Sequence, residues 1–149
     1  MTNALCRAAT LAFFLLFSTG AHTQGESLKP ARIAPDEIVW SPNPLGFQLS
    51  KIAGDPTKAG MYSNRVRFPA GLRIQPHSHP DERIVIVLSG TVYFGYGEQF
   101  DEVGMKALPA GSVWTEPAGQ PHFAWAKDGE AVIQVIGNGP SATTPIPPK

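Results

Sequence analysis

The chain has 149 residues, with twelve basic and twelve acidic side chains, so its formal net charge is zero when histidine is neutral. That balance, spread without any basic block, excludes the electrostatic footprint of a nucleic-acid binder. Its single cysteine, Cys6, excludes an intrachain disulfide framework and a thiolate metal cluster.

Residues 1–24 read as a secretory leader. Arg7 supplies a positive start, the apolar run from Ala8 ends in Phe13-Phe14-Leu15-Leu16-Phe17, and Ser18-Thr19-Gly20-Ala21 supplies small residues for cleavage. The run is too short to span a hydrocarbon layer of roughly 30 Å. The expectation is a periplasmic or secreted chain beginning between His22 and Glu26, with Cys6 removed and no membrane association after cleavage.

Residues 25–137 suit one domain. Fifteen glycines and fifteen prolines punctuate the chain evenly, and the apolar pattern between them has period two. Strands are predicted at Ile38–Ser41, Phe47–Ile52 and Tyr62–Phe68. The β-branched run within Arg83–Leu88 predicts a strand buried on both faces. Further strands fall at Thr91–Tyr96, Lys106–Pro109, Ser112–Glu116, His122–Ala126 and Ala131–Ile136, with one helical turn near Gln99–Val103. Short strands at this spacing predict an all-β antiparallel sandwich or barrel. The segment 138–149, with Pro140, Pro145, Pro147 and Pro148, reads as an extended or mobile tail.

Beyond His22, the histidines are His77, His79 and His122. A His-x-His pair on one strand presents both rings to one face, and a third ring from a neighbouring strand completes a facial set of three nitrogens. The flanking residues resemble the cupin superfamily. Gly71, five residues, His77, Ser78 and His79, closed by Gly90, match its first motif. Gly111, five residues, Pro117, Ala118, Gly119, Gln120, Pro121 and His122 match its second. The resemblance implies an antiparallel jelly-roll β-barrel with a metal near one mouth, and leaves the substrate open.

Two positions depart from the family pattern. The first-motif glutamate belongs seven residues before Gly90, where this chain has Arg83; Glu82 falls one residue early, on the other face of a regular strand unless a bulge redirects it. The asparagine expected four residues after His122 is Ala126. The metal set is therefore His77, His79 and His122, suited to Fe, Mn, Zn, Ni or Cu with positions left open for a ligand.

Around it, Gln75 and Arg73 share the His77 face by parity, and Gln75 is a candidate to orient metal-bound water. Arg83 is a candidate clamp for a substrate anion, or pairs with Asp81 or Glu82. Gln134, polar within the apolar strand Ala131–Ile136, is a third candidate substrate contact. Ala124 and Ala126 leave room on the His122 face, whereas Phe123 and Trp125 point to the wall or to a contact between subunits, which makes a homodimer an admissible assembly. Two functions fit: a metal-dependent small-molecule enzyme (an oxygenase, isomerase or hydrolase), or a non-catalytic protein binding a small molecule at the barrel mouth.

Overall fold

The computed structural model describes residues 27–148, so the leader expected over 1–24 lies outside the described residues. The strands are β1 (Ser41–Pro42), β2 (Gln48–Ala53), β3 (Gly60–Phe68), β4 (Arg73–Ser78), β5 (Arg83–Ser89), β6 (Thr91–Tyr96), β7 (Lys106–Pro109), β8 (Val113–Glu116), β9 (His122–Trp125), β10 (Ala131–Gly139) and β11 (Thr144–Pro145). A single 3-10 turn, Pro35–Glu37, precedes them. The helical turn expected near Gln99–Val103 is a bend and a hydrogen-bonded turn instead, with Asp101 Oδ1 accepting the Val103 N–H at 3.0 Å.

The strands form two antiparallel sheets, in the orders β1-β2-β3-β10-β5-β8 and β11-β4-β9-β6-β7. They face each other as a jelly roll without joining by hydrogen bonds into one closed barrel. Period-two patterning explains which side chains meet between them. Tyr62, Asn64, Val66 and Phe68 of β3 turn inward while Ser63, Arg65 and Arg67 face out. From β10, Ala131, Ile133 and Val135 join Val85, Val87, Val92, Phe94, Leu108, Trp114, Ala124 and Ala126 in one core. The β5 run is not buried on both faces as its composition suggested. Val85 and Val87 are inside, but Ile84, on the outer face of this sheet, is 50 % exposed among the described residues.

The tail also differs from expectation. β10 continues to Gly139, past the boundary drawn at 137, and β11 pairs with β4 through Thr144↔Ser78 and Pro145↔His77. The prolines leave few N–H groups on this segment, and those of Ser141 and Ile146 donate to the carbonyls of Pro56 and Pro76. Within this segment Asn138 and Gly139 belong to the first sheet and Thr144 and Pro145 to the second.

Gly137 has a steric reason to be glycine. A Cβ there would lie 2.5 Å from Tyr62 Oη and 2.8 Å from Asp81 Oδ2, two atoms that hydrogen-bond each other at 2.6 Å inside the fold. Gly137→Ala is expected to lower unfolding stability in urea by about 1–3 kcal/mol. Gly129→Ala, with no heavy atom within 4 Å of its new methyl, should change it by less than about 0.5 kcal/mol. Equal midpoints for the two variants would show that the close approach does not constrain the sheet.

Candidate metal centre

The site begins with an irregularity in β4. Ile74 pairs with Ala124 of β9 and His77 with His122, so three steps along β4 match two along β9. One extra residue therefore sits in β4, and two positions of opposite parity, Ile74 and His77, both turn inward. Ile74 packs against the core, Pro76 is buried, and Gln75 is exposed. His79 follows the end of β4 and is 5 % exposed. The second motif is tied to the first at this point, where the Gly119 N–H donates to the His79 carbonyl at 2.7 Å. Gly119 has φ +72°, a backbone conformation that glycine adopts without steric penalty.

The three imidazoles meet. Ring centroids are 4.8 Å apart for His77–His79, 4.4 Å for His77–His122 and 5.2 Å for His79–His122. Their potential ligand atoms all lie within 4.8 Å of one another. Each Nδ1 faces a backbone carbonyl: Gln75 O at 2.8 Å from His77, Ala142 O at 2.7 Å from His79, and Gln120 O at 2.9 Å from His122. A carbonyl only accepts, so each Nδ1 carries the proton and each Nε2 carries a lone pair. Outer acceptors of this kind orient metal-ligating histidines. His122 Nε2 is buried and has no hydrogen-bond partner among the described residues. The donor set fits a divalent transition metal.

Sequence reasoning passes over the carboxylate nearest the rings, Glu116. It ends β8, is 6 % exposed, and pairs across the sheet with Arg83. Its Oε1 accepts the Trp114 indole N–H at 3.0 Å and lies 3.5 Å from His122 Nε2, while its Oε2 lies 3.9 Å from His79 Nε2. Two cues for it are present in the sequence. Glu116 shares a strand face with the core residue Trp114, and Pro117 stops the strand directly behind it. Glu82, by contrast, is exposed.

Arg83 occupies the slot beside the rings. Its Nε is 3.5 Å from Asp81 Oδ2, its Nη1 3.6 Å from Glu116 Oε2, and its Nη2 donates to Ser141 Oγ at 3.1 Å. Its carboxylate partners are thus Asp81 and Glu116, not Glu82. Burial holds all three imidazoles below their ordinary value of 6.5, and for His79, where the Arg83 charge adds to burial, down to about 3. Burial raises Glu116, against the pull of Arg83. Burial and the Asp81 hydrogen bond push Tyr62 up to about 12.

The rings open on a cavity of about 410 Å³ between the sheets, whose walls include Phe47, Leu49, Val66, Phe68 and Ile133. Arg83, Glu116 and Ala124 also line it. Gln75 borders the cavity but is exposed, because the extra residue in β4 breaks the parity that would have aimed it beside His77; its carbonyl serves that ring instead. Arg73 pairs with Glu102 at 2.6 Å and stacks over Trp125. Gln134 does not reach the cavity. It alternates with the core residues Ile133 and Val135, and its amide bonds Arg65, Ser63 and the Asn64 carbonyl on the outer side of the sheet. Phe123 packs against Phe100 and beneath Gly95, in the wall.

A double-sheet jelly roll carrying three convergent imidazoles at one mouth defines the class, and comparison with known proteins agrees with it. The family model of the cupin domain matches residues 64–137, and the chain belongs to the cupin superfamily. A germin-like protein, subfamily T member 2, from Arabidopsis thaliana is 34% identical over 67 residues, 44% of this chain and 30% of that protein. The chain thus matches under a third of that relative's length. Among solved structures, the polyketide cyclase RemF from Streptomyces resistomycificus superposes with a TM-score of 0.67 at 14% identity, covering 81% of this chain and 88% of that one. KdgF from Halomonas sp. gives 0.61 at 21% identity, covering 74% and 96%. The DMSP lyase DddQ from Ruegeria pomeroyi gives 0.56 at 19%, covering 78% and 77%. At these identities the structures establish the shared fold.

The depressed imidazole values set a pH dependence for the metal-free protein. The unfolded chain protonates these rings near 6.5, whereas the folded chain holds them neutral. Stability present above that pH is therefore lost as pH falls through the window between about 6.5 and the folded values. Glu116 acts oppositely, since its raised value favours the folded state at low pH, but three rings outnumber it. The urea midpoint of metal-stripped protein should be lower at pH 5.5 than at pH 7.5. Midpoints that stay level or rise on acidification would show that the rings are not held neutral.

Proposed function

We propose that this protein is a metal-dependent enzyme acting on a small molecule with an apolar body and a polar or anionic head. The observation that carries this reading is the cluster of three imidazoles, each with Nδ1 occupied by a carbonyl and Nε2 turned toward the others, at the end of an apolar cavity. His77, His79 and His122 would hold a divalent transition metal. When bound, that ion supplies Lewis-acid polarisation or an O₂ site.

The remaining roles fall to the chain itself. Phe47, Leu49, Val66, Phe68 and Ile133 receive the apolar body and exclude water, which strengthens polar contacts at the head. Ala124 contributes only a methyl group to the lining and leaves space for the head. Asn64, buried in the wall with an unpartnered Oδ1, accepts a donor from the bound molecule. The Arg83 guanidinium faces the same space and favours negative charge there, although Asp81 and Glu116 already share it. The leader pattern of residues 1–24 supports export to the periplasm or medium.

The test is metal analysis of untagged protein purified without chelator, followed by turnover and oxygen-uptake assays with small carboxylic acids bearing apolar tails. The expected result is close to one transition metal per chain, lost in His79→Ala and His122→Ala, with turnover that depends on it. Absence of bound metal, even after incubation with Mn(II), Fe(II), Co(II) or Zn(II), would refute the reading. A stoichiometric metal with tight ligand binding but no turnover would make the protein a binding module instead.

A further inference from the structure

We propose that Glu116, carried by β8 and not by the first family motif, supplies a carboxylate ligand that completes the three-histidine centre. The inference rests on the metal reading above and deepens it.

The register carries the argument. The superfamily's glutamate slot, seven residues before Gly90, holds Arg83, and Glu82 beside it is exposed. Directly opposite Arg83 on the neighbouring strand is Glu116. Facing residues of an antiparallel pair bring their Cβ atoms to about 4.5–5.5 Å and project to the same side. The carboxylate absent from β5 therefore reaches the same end of the cavity from β8, and the arginine that displaced it becomes its charge partner.

The unsatisfied atoms point the same way. The proton of His122 is committed to Gln120 O through Nδ1, so its Nε2 and Glu116 Oε1 confront each other at 3.5 Å as two acceptors. His79 Nε2 and Glu116 Oε2 do the same at 3.9 Å. Both Nε2 of His122 and Oε2 of Glu116 are buried with no hydrogen-bond partner among the described residues, and Arg83 Nη1, at 3.6 Å, is too far from Oε2 to donate. Buried acceptors facing one another are unfavourable unless a proton or a metal cation lies between them, and only a metal cation also engages the other two rings that converge there. The 3.5 Å between His122 Nε2 and Glu116 Oε1 suits one, because bonds of about 2.1 Å put neighbouring ligand atoms about 3.0–3.5 Å apart; the carboxylate has to shift toward the three-ring cluster to close on the same ion. The Trp114 indole, fixed in the core, holds the carboxylate in place through Oε1 as outer partners of metal ligands do.

Mn(II) and Co(II) titrations of the full chain, followed by calorimetry and by the Co(II) ligand-field spectrum, test the assignment on wild type, Glu116→Gln and Glu82→Gln. Glu116→Gln keeps an acceptor for Trp114 and should leave the metal-free fold intact. It should weaken binding by at least about 100-fold, since loss of a ligand's orienting partner alone costs about 10- to 100-fold, and it should shift the Co(II) spectrum. Glu82→Gln should match wild type in both readouts. Wild-type affinity in Glu116→Gln, or loss of binding in Glu82→Gln, would overturn the assignment while leaving the three-histidine metal site standing. Failure of wild type itself to bind either metal would instead remove the reading beneath it. Should Glu116→Gln not fold, a crystal structure of Mn(II)-loaded wild type decides: a Glu116 oxygen at about 2.0–2.3 Å from the metal is expected, and one beyond about 3.5 Å would refute the proposal.

Discussion

The extra residue in β4 is the constraint on which the centre depends. Side chains of a regular strand alternate, so Ile74 and His77 would lie on opposite faces, and a chain that kept Ile74 in the core would turn His77 to solvent. Shifting the register between them lets one short strand serve the core with Ile74 and the centre with His77. The deformation falls on Gln75 and Pro76, and Pro76 could not have donated a ladder hydrogen bond in any case. Pro76 still takes part in pairing through its carbonyl, which accepts the Ile146 N–H.

Around the rings, charge is arranged in a chain. Tyr62 donates to Asp81, Asp81 lies beside Arg83, and Arg83 lies beside Glu116, which faces the imidazoles. One buried guanidinium between two carboxylates leaves the group net negative, and each member loses a neighbour if another is removed. Such networks are sensitive to partial disruption, because the cost of an unpaired buried charge exceeds the net worth of the pair it came from. The glycine at 137 belongs to this arrangement, since the space a side chain would take is occupied by the Tyr62–Asp81 hydrogen bond.

Much of this is legible in the sequence, and the parts that are not share a cause. Period-two patterning places β6 and β7 to the residue and β3 to within two, and the two motif spacings point to the superfamily and the three imidazoles, because both signals are local. Parity counting misaims Gln75 because it assumes a regular strand, although Pro76 within Arg73–Ser78 is a residue that favours an edge or a bulge. A polar residue in an apolar strand needs a partner, which puts Gln134 inside on sequence grounds; it has partners, Ser63 and Arg65, on the outer side. Ile84 reads as buried because a continuous apolar run does not record which sheet face is covered. Glu116 escapes notice because its role depends on which strand lies beside β5. The pairing Arg83↔Glu116 joins residues far apart in sequence, and no local pattern encodes it.

The segment after β10 gives the centre a dependence on chain topology. The carbonyl that fixes the tautomer of His79 belongs to Ala142, and the hydroxyl that receives Arg83 belongs to Ser141. The first of these contributions requires no distinctive side chain at 142, so mutational scanning at that position would register as tolerant while the backbone there remains indispensable. These bonds join residues 63 and 58 positions apart, a span like that of the β3–β10 pairing, where Ala131 meets Phe68 and Gly139 meets Gly60. Burying the valines and phenylalanines is thus not enough to complete the centre: the segment between β10 and β11 must also lie against His79 and Arg83, since it carries the acceptor that sets one imidazole's tautomer.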